Sequence, residues 1–591
     1  MSPGLSNHGW PPERAGNATE SRCKGVRWLF RGVSIALGLA QVVAARNTVG
    51  PDARSYLELA RAILRRDWTM TINAYWSALY PWLLAGITGF VKPSLRWEYP
   101  VAHALAFPLW LACIAAFEFF WAGLLQIRKL ALERGAPTGT ALSSRQMWAL
   151  GYSLWIWLVV GDIIAEINPD LCLATSVLLS AGLLIRIAMV PGARRSLYIW
   201  FGISLGIGYL VKAILFPMAL VLLGLMVVTV AARPVENRRK DFGLALLFFV
   251  LIVAPQITRL SVSKGRFTFS DTGKLVFAWC NYDFPLRNWQ GEPAGSGTPA
   301  HPTRKLYARP AVYEFNGPLR ASYPPWFDPS YWNEGLSPAF RPGAVIRHAL
   351  HQLVELGSVL LHPTAWFVGI VLLFLGCDFR ETLRGIAGYW YLIAISAIAA
   401  GLYCLTIVQS RFVVPWELLF WGAILTGIRL RRTMVPISGL LTAITSCALI
   451  AATAHLVYGE SVHGFHNDAS AEYKTAEGLQ HMGLQSGEKV GAIGFDNDAH
   501  WAYLARLKIV AEIDSNDTCL FWSEPTAIRA QILEKFAQAG ARVVVANTGG
   551  AIRSTSRAPV DLAACTKPDA GWRTIDGSPN HAFFLSRLRG H

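Results

Sequence analysis

Residues 47–68 read NTVGPDARSYLELARAILRRDW, a polar and charged stretch between two apolar runs, 28–45 and 79–91. The first run is long enough to cross a bilayer. A helix starting at Asp52 places Tyr56, Leu59, Ala60 and Ile63 on one face, at the spacing of an amphipathic helix. Arg54, Glu58, Arg61, Arg65 and Arg66 fall mainly on the other. The pattern predicts a helix over 52–66 that lies on a membrane surface instead of spanning it.

Working outward, the chain has 591 residues, 53% hydrophobic and 16% charged. A soluble chain carries about a quarter charged residues, so the expectation is a polytopic α-helical membrane protein. Residues 1–27 form a polar tail without the apolar core and cleavage site of a signal peptide, and the first span is expected to be kept as an anchor. At about 20 apolar residues per span, the chain reads as eleven crossings: 28–45, 101–127, 147–165, 171–189, 197–211, 214–232, 242–257, 358–377, 386–406, 412–428 and 435–456.

The formal net charge is +16, and its placement decides its meaning. With the N-terminus in the cytoplasm, the inner loops hold Arg22, Lys24, Arg27 and Arg31; Arg128, Lys129, Arg134 and Arg145; Arg194 and Arg195; Arg233, Arg238, Arg239 and Lys240; Arg380 and Arg384; and Arg429, Arg431 and Arg432. Every inner loop is then basic, as membrane topology requires. The cations read as orientation signals, and no nucleic-acid partner is expected. This assignment holds only if 79–91 does not cross, which makes that run a second surface helix.

The outer side receives the opening stretch, short turns at 166–170, around Lys212 and at 409–411, a loop over 258–351 rich in Trp, Tyr and Pro, and a polar region over 458–591. The region 28–457 is thus the membrane domain, and 458–591 a small extracytoplasmic α/β domain. In it, 489–495 (KVGAIGF), 508–513 and 542–546 (RVVVA) read as buried strands and 527–539 as a helix. GAIGF lacks the GxGxxG spacing of a nucleotide site. Cys519 and Cys565 both fall on this oxidising side, where pairing is open to them.

Chemistry is expected at the outer turns, because a cation there is an exception to the charge bias. The turn 166–170 (EINPD) carries Glu166 and Asp170; Lys212 and Arg411 each stand beside an apolar span. Ionisable groups at membrane depth are costly and therefore functional candidates. Two cations suit the oxygens of a membrane-anchored phosphate, and a carboxylate suits deprotonation of an incoming hydroxyl. With a phosphate leaving group, one base is enough for displacement with inversion. Each group also has a plainer role: Asp52 and Asp170 follow prolines where a carboxylate caps a helix, Tyr56 suits an interfacial anchor, and Lys212 and Arg411 suit lipid head groups.

In this order and sidedness, PDARSYLELARAILRRDW (51–68), LYPWLLAGITGF (79–90), NPD (168–170), GYLVKAILFP (208–217) and QSRFVVP (409–415) resemble the polyprenol-dependent GT-C glycosyltransferases. These include the protein O-mannosyltransferases and the bacterial transferases that put aminoarabinose on lipid A. The resemblance covers roughly the first 430 residues. It implies Asp52 as catalytic base, two surface helices after it, and Lys212 and Arg411 on the phosphate of a polyprenyl-phosphate-linked sugar. The acceptor is then a hydroxyl of a glycan, lipid or protein at the outer face of the cytoplasmic membrane. Many relatives carry Asp-Glu in the first loop where this chain has Asp52-Ala53, which weakens an argument for a divalent metal without closing it. Tyr56, Asp170, Arg259, His348 and His351 complete the expected substrate-binding set. Two other readings remain at this point, a transporter or flippase of a lipid-linked sugar and a non-catalytic subunit of envelope polysaccharide assembly.

Overall fold

The computed structural model describes residues 13–133, 141–189, 194–231, 238–282, 284–464, 469–549, 551–552 and 560–586. The first twelve residues of the expected tail lie outside this set. So do Arg134 and Arg233 of the expected inner loops and the side chains of Arg22 and Arg238.

Helices stand at each of the eleven apolar runs, but they are not eleven spans of one kind. Among the described residues five are long and apolar enough to cross a membrane: Lys24–Ala44, Leu95–Leu130, Asp170–Ala188, Arg239–Lys264 and Arg432–Val462. The number is seven if each of two bent helix pairs counts once. The run expected at 358–377 is one of these pairs, Pro342–Leu361 and Thr364–Leu375, bent by 81°. Pro363 forces the break, since the residue before a proline is pushed out of the helical region and His362 is extended at φ −98°, ψ 131°. Arg195–Val211 and Leu215–Thr229 are apolar but shorter.

The bundle core is aromatic. Trp110 and Trp155 stack with ring centroids 4.3 Å apart, and Phe117 packs on Trp155 at 4.8 Å. Glycine makes room for close packing: a Cβ at Gly202 would stand 2.1 Å from the Ala245 carbonyl oxygen, and one at Gly151 2.3 Å from the Trp121 ring.

Beyond the bundle, a seven-stranded sheet runs in the order Arg304–Tyr307, Val312–Glu314, Lys508–Ile513, Lys489–Ile493, Val543–Asn547, Asn580–Phe584, Arg573–Thr574. The three strands expected from the apolar runs form its parallel centre. The first two strands come from the loop at 258–351, with Tyr313 opposite Glu512, so this loop is part of the sheet. The helix expected at 527–539 is Thr526–Gln538. Cys519 and Cys565 are disulfide-bonded, with Cα atoms 5.3 Å apart.

The opening stretch forms the helix Pro51–Leu64, and Leu79–Val91 packs beside it. The expectation of a helix with one face in water needs correction. Arg54 is only 2% exposed, and Ser55 and Glu58 are buried with it, whereas Arg65 and Arg66 remain exposed. The covering comes from far along the chain: Glu58 accepts from the Ser322 amide at 2.9 Å, Arg54 lies over the Tyr323 ring at 4.8 Å, and Arg61 donates to the Tyr503 carbonyl at 2.8 Å. The polar face is a docking surface for the sheet region, because buried charges are tolerated only where partners meet them.

Neither terminal nitrogen of Arg54 has a hydrogen-bond partner; burial lowers its pKa, and the Tyr323 ring and the Asp498 and Glu58 carboxylates oppose that only in part. Arg54→Ala is expected to lower stability by about 3 kcal/mol by leaving those carboxylates unopposed. The exposed Arg65→Ala is expected to stay within about 0.5 kcal/mol, and thermal unfolding of the detergent-purified protein distinguishes the two.

Candidate active site

Four side chains from four separate elements converge at one end of the bundle. The Pro51–Leu64 helix has Gly50 at its N-cap, Pro51 in the favoured first position and no side-chain cap bond. Asp52 is therefore not consumed as a cap. Its carboxylate, 31% exposed, accepts from Arg411 Nη2 at 3.3 Å.

Asp170 opens the Asp170–Met189 helix, and its amide donates to Asn168 Oδ1 at 2.9 Å, so capping falls to Asn168. The Asp170 side chain, 1% exposed, holds Lys212 Nζ at 2.5 Å through Oδ1. Its Oδ2 is buried without a hydrogen bond, 3.7 Å from Arg411 Nη1.

Lys212 follows directly on the Arg195–Val211 helix, where the backbone turns extended. Its ammonium is turned inward onto Asp170 and sits 3.7 Å from the centre of the Phe412 ring, not out toward lipid head groups. Arg411, in the first turn of Ser410–Gly427, donates from Nε to Gln409 at 3.0 Å and from Nη1 to Glu166 at 2.6 Å. Two cations thus face three carboxylates, Asp52, Glu166 and Asp170. With all three ionised, the cluster carries one excess negative charge.

Tyr56 lies one turn beyond Asp52, buried with ring centroids 5.1 Å from Trp76 and 5.3 Å from Tyr80. Burial first, and then the charge of Asp52, hold its phenol well above the ordinary tyrosine range. Tyr56 is an uncharged wall of the site.

The remaining expected residues are placed elsewhere. Arg259 donates to Thr71 at 3.1 Å, on the exposed segment after the Pro51–Leu64 helix. His348 pairs with the Thr406 carbonyl at 2.6 Å, and His351 is exposed. Sequence reasoning overlooked Gln352, which is buried and accepts from the Val408 amide at 2.7 Å. Together His348 and Gln352 prop the loop that delivers Arg411. Glu166 and Phe412 were also unassigned, although both lie within the motifs that drew attention.

Leu210 and Ala213, on either side of Lys212 in the chain, line a small crevice of about 20 Å³ together with Trp76, Leu260 and Phe269. Among the described residues no group of three or more His, Cys, Asp or Glu is placed to hold a metal ion, and Lys212 and Arg411 occupy the spaces between the carboxylates.

No family model matches the chain, and no curated protein sequence matches it. Solved structures do. ArnT from Cupriavidus metallidurans in the apo state superimposes with a TM-score of 0.51 at 10% identity, over 95% of this chain and 98% of that one. The same protein bound to undecaprenyl phosphate gives 0.47 at 11%, over 94% and 97%. The Archaeoglobus fulgidus oligosaccharyltransferase tethered with an acceptor peptide gives 0.45 at 12%, over 88% and 69%. At such identity the likeness to apo ArnT is one of fold: the chain has a GT-C fold.

Proposed function

We propose that this GT-C chain is an inverting glycosyltransferase that moves a sugar from a polyprenyl-phosphate donor to a hydroxyl of a glycan, lipid or protein. The observation that carries the reading is the convergence of Asp52, Asp170, Lys212 and Arg411 from distant parts of the chain onto one point.

Lys212 and Arg411 bind the donor phosphate through charge-assisted hydrogen bonds. Asp170, buried beneath them, fixes the lysine. Asp52 takes the proton of the acceptor hydroxyl as its oxygen bonds to the anomeric carbon. The bond from that carbon to the phosphate oxygen breaks on the opposite face, which inverts the configuration. Polyprenyl phosphate leaves as a stable anion held by the same cations, so no separate acid is required.

The reaction belongs at the outer face of the cytoplasmic membrane on this reading. Two features support that side: the disulfide in the sheet region, which suits an oxidising compartment, and the packing of that region against the helix that carries Asp52.

Purified protein incubated with a panel of polyprenyl-phosphate sugars and saccharide, lipid and peptide acceptors is expected to release free polyprenyl phosphate and yield a product of inverted anomeric configuration. Binding of a lipid-linked sugar without release under every acceptor overturns the enzymatic reading and favours transport or a non-catalytic role.

A further inference from the structure

The opposite end of the bundle holds two arginines for which the proposed reaction has no use. Arg411 lies in the first turn of Ser410–Gly427 and Arg429 just past the last, so the two are about 27 Å apart along the axis at 1.5 Å per residue. Arg429 is 5% exposed, and Arg128, on the Ala106–Glu133 helix, is 7% exposed.

Arg429 is held rigidly. Its amide donates to Thr382 Oγ1 at 3.0 Å, and its carbonyl accepts from the Asp378 amide at 2.8 Å. Its Nη1 spends its hydrogens on two carbonyls, those of Thr426 and Ile428, both at 3.0 Å. No carboxylate is bonded to it.

Arg128 makes no hydrogen bond or ion pair within the described residues, and its Nη1 is buried without a partner. Its helix packs against Ser410–Gly427, where a Cβ at Gly422 would stand 2.9 Å from Leu124 Cδ1, one turn before Arg128; Arg429, of like sign, and Tyr389 act on it electrostatically. Glu381 also acts on Arg429, but its carboxylate is engaged by Arg384 at 2.6 Å. Taking a charge out of water costs several kcal/mol unless an opposite charge compensates it. Here two arginines on helices that pack together are buried, and among the described residues neither is bonded to an acid.

We propose that Arg128 and Arg429 form a binding site for a phosphate group at the end of the bundle remote from the candidate active site. Arg429 supplies a fixed guanidinium and Arg128 a movable one, and together they bracket an oxyanion as arginines do phosphates. Arg431 and Arg432, just after Arg429 in the chain, and Arg380, on the helix whose Thr382 bonds Arg429, raise the local anion concentration. Basic pockets between membrane helices take up lipid head groups in this manner. The same chemistry fits a free phosphate ester.

The test uses the full-length protein, delipidated in detergent and titrated with phosphatidylglycerol, phosphatidylcholine and inorganic phosphate, with bound species counted by native mass spectrometry. Wild type is expected to retain phosphatidylglycerol at least tenfold better than phosphatidylcholine, and Arg128→Gln to lose that preference. The exposed Arg145→Gln is expected to keep it. Displacement of the lipid by millimolar inorganic phosphate assigns the site to free phosphate; retention assigns it to the head group. Equal lipid retention by wild type and Arg128→Gln overturns the site. Should Arg128→Gln fail to fold, thermal unfolding of wild type decides: a melting temperature raised by neither phosphatidylglycerol nor phosphate, relative to phosphatidylcholine, overturns it as well. Because each arm reads binding alone, the outcome is independent of whether sugar transfer occurs.

Discussion

Asp52→Asn is expected to reduce sugar transfer by about two to four orders of magnitude, the usual contribution of a positioned general base, while the protein remains folded and inserted. Asparagine keeps the size of the side chain and an oxygen that can accept from Arg411, now 3.3 Å away, so the geometry survives and only the basicity goes. Donor binding is expected to hold or improve, because the change removes one of three carboxylates ranged against two cations. The decisive measurements are turnover with saturating donor and acceptor, together with donor affinity by direct binding. A variant with full turnover would remove Asp52 from the role of base. Ala53 provides no second carboxylate next to Asp52 in the chain.

Arg411 yields the second large effect. Its guanidinium is shared among Asp52, Glu166 and Gln409, and an incoming phosphate must displace acids to reach it. Arg411→Ala is expected to weaken donor binding by about 1.5–3 kcal/mol per lost charged hydrogen bond, roughly ten- to a hundredfold. Glu166→Gln is expected to act in the opposite direction. Glu166 is 43% exposed and held mainly by Arg411 at 2.6 Å, so neutralising it frees the cation at little cost to the fold. Opposite shifts in donor affinity for the two variants are the expected result; parallel shifts, or none, would show that the phosphate binds elsewhere. Lys212→Ala is a poorer probe, since it strands the buried Asp170 carboxylate without its partner and unpairing such a group is destabilising by itself.

The sequence made some of this legible and concealed the rest for physical reasons. The helix Pro51–Leu64, its companion Leu79–Val91 and the three central strands were readable because apolar spacing is local. Asp52, Asp170, Lys212 and Arg411 were readable because each is a charge at the edge of an apolar run, where charge is expensive. The covering of the helix's polar face was not readable: the groups that meet it lie hundreds of positions away, with Ser322 at a separation of 264 from Glu58 and Tyr503 at 442 from Arg61. Glu166 was undervalued for the same reason, its partner standing 245 positions on. His348, His351 and Arg259 were overvalued, because an amphipathic histidine presents the same spacing whether it faces a ligand or, like His348, holds a loop carbonyl.

The sheet that draws strands from two remote segments also sets an order of assembly. The strand Val312–Glu314 leaves the ribosome long before Lys508–Ile513, and Tyr323 before its hydrogen-bond partner Glu512, 189 positions later. Until the later strands have been synthesised, the earlier loop has no edge to pair with, and Arg61 of the Pro51–Leu64 helix lacks the Tyr503 carbonyl to which it donates. Contacts of such long range form late and slowly. The helix that carries Asp52 is therefore among the first parts of the chain to be made and among the last to gain all its contacts, so the support of the candidate site is completed only late in translation.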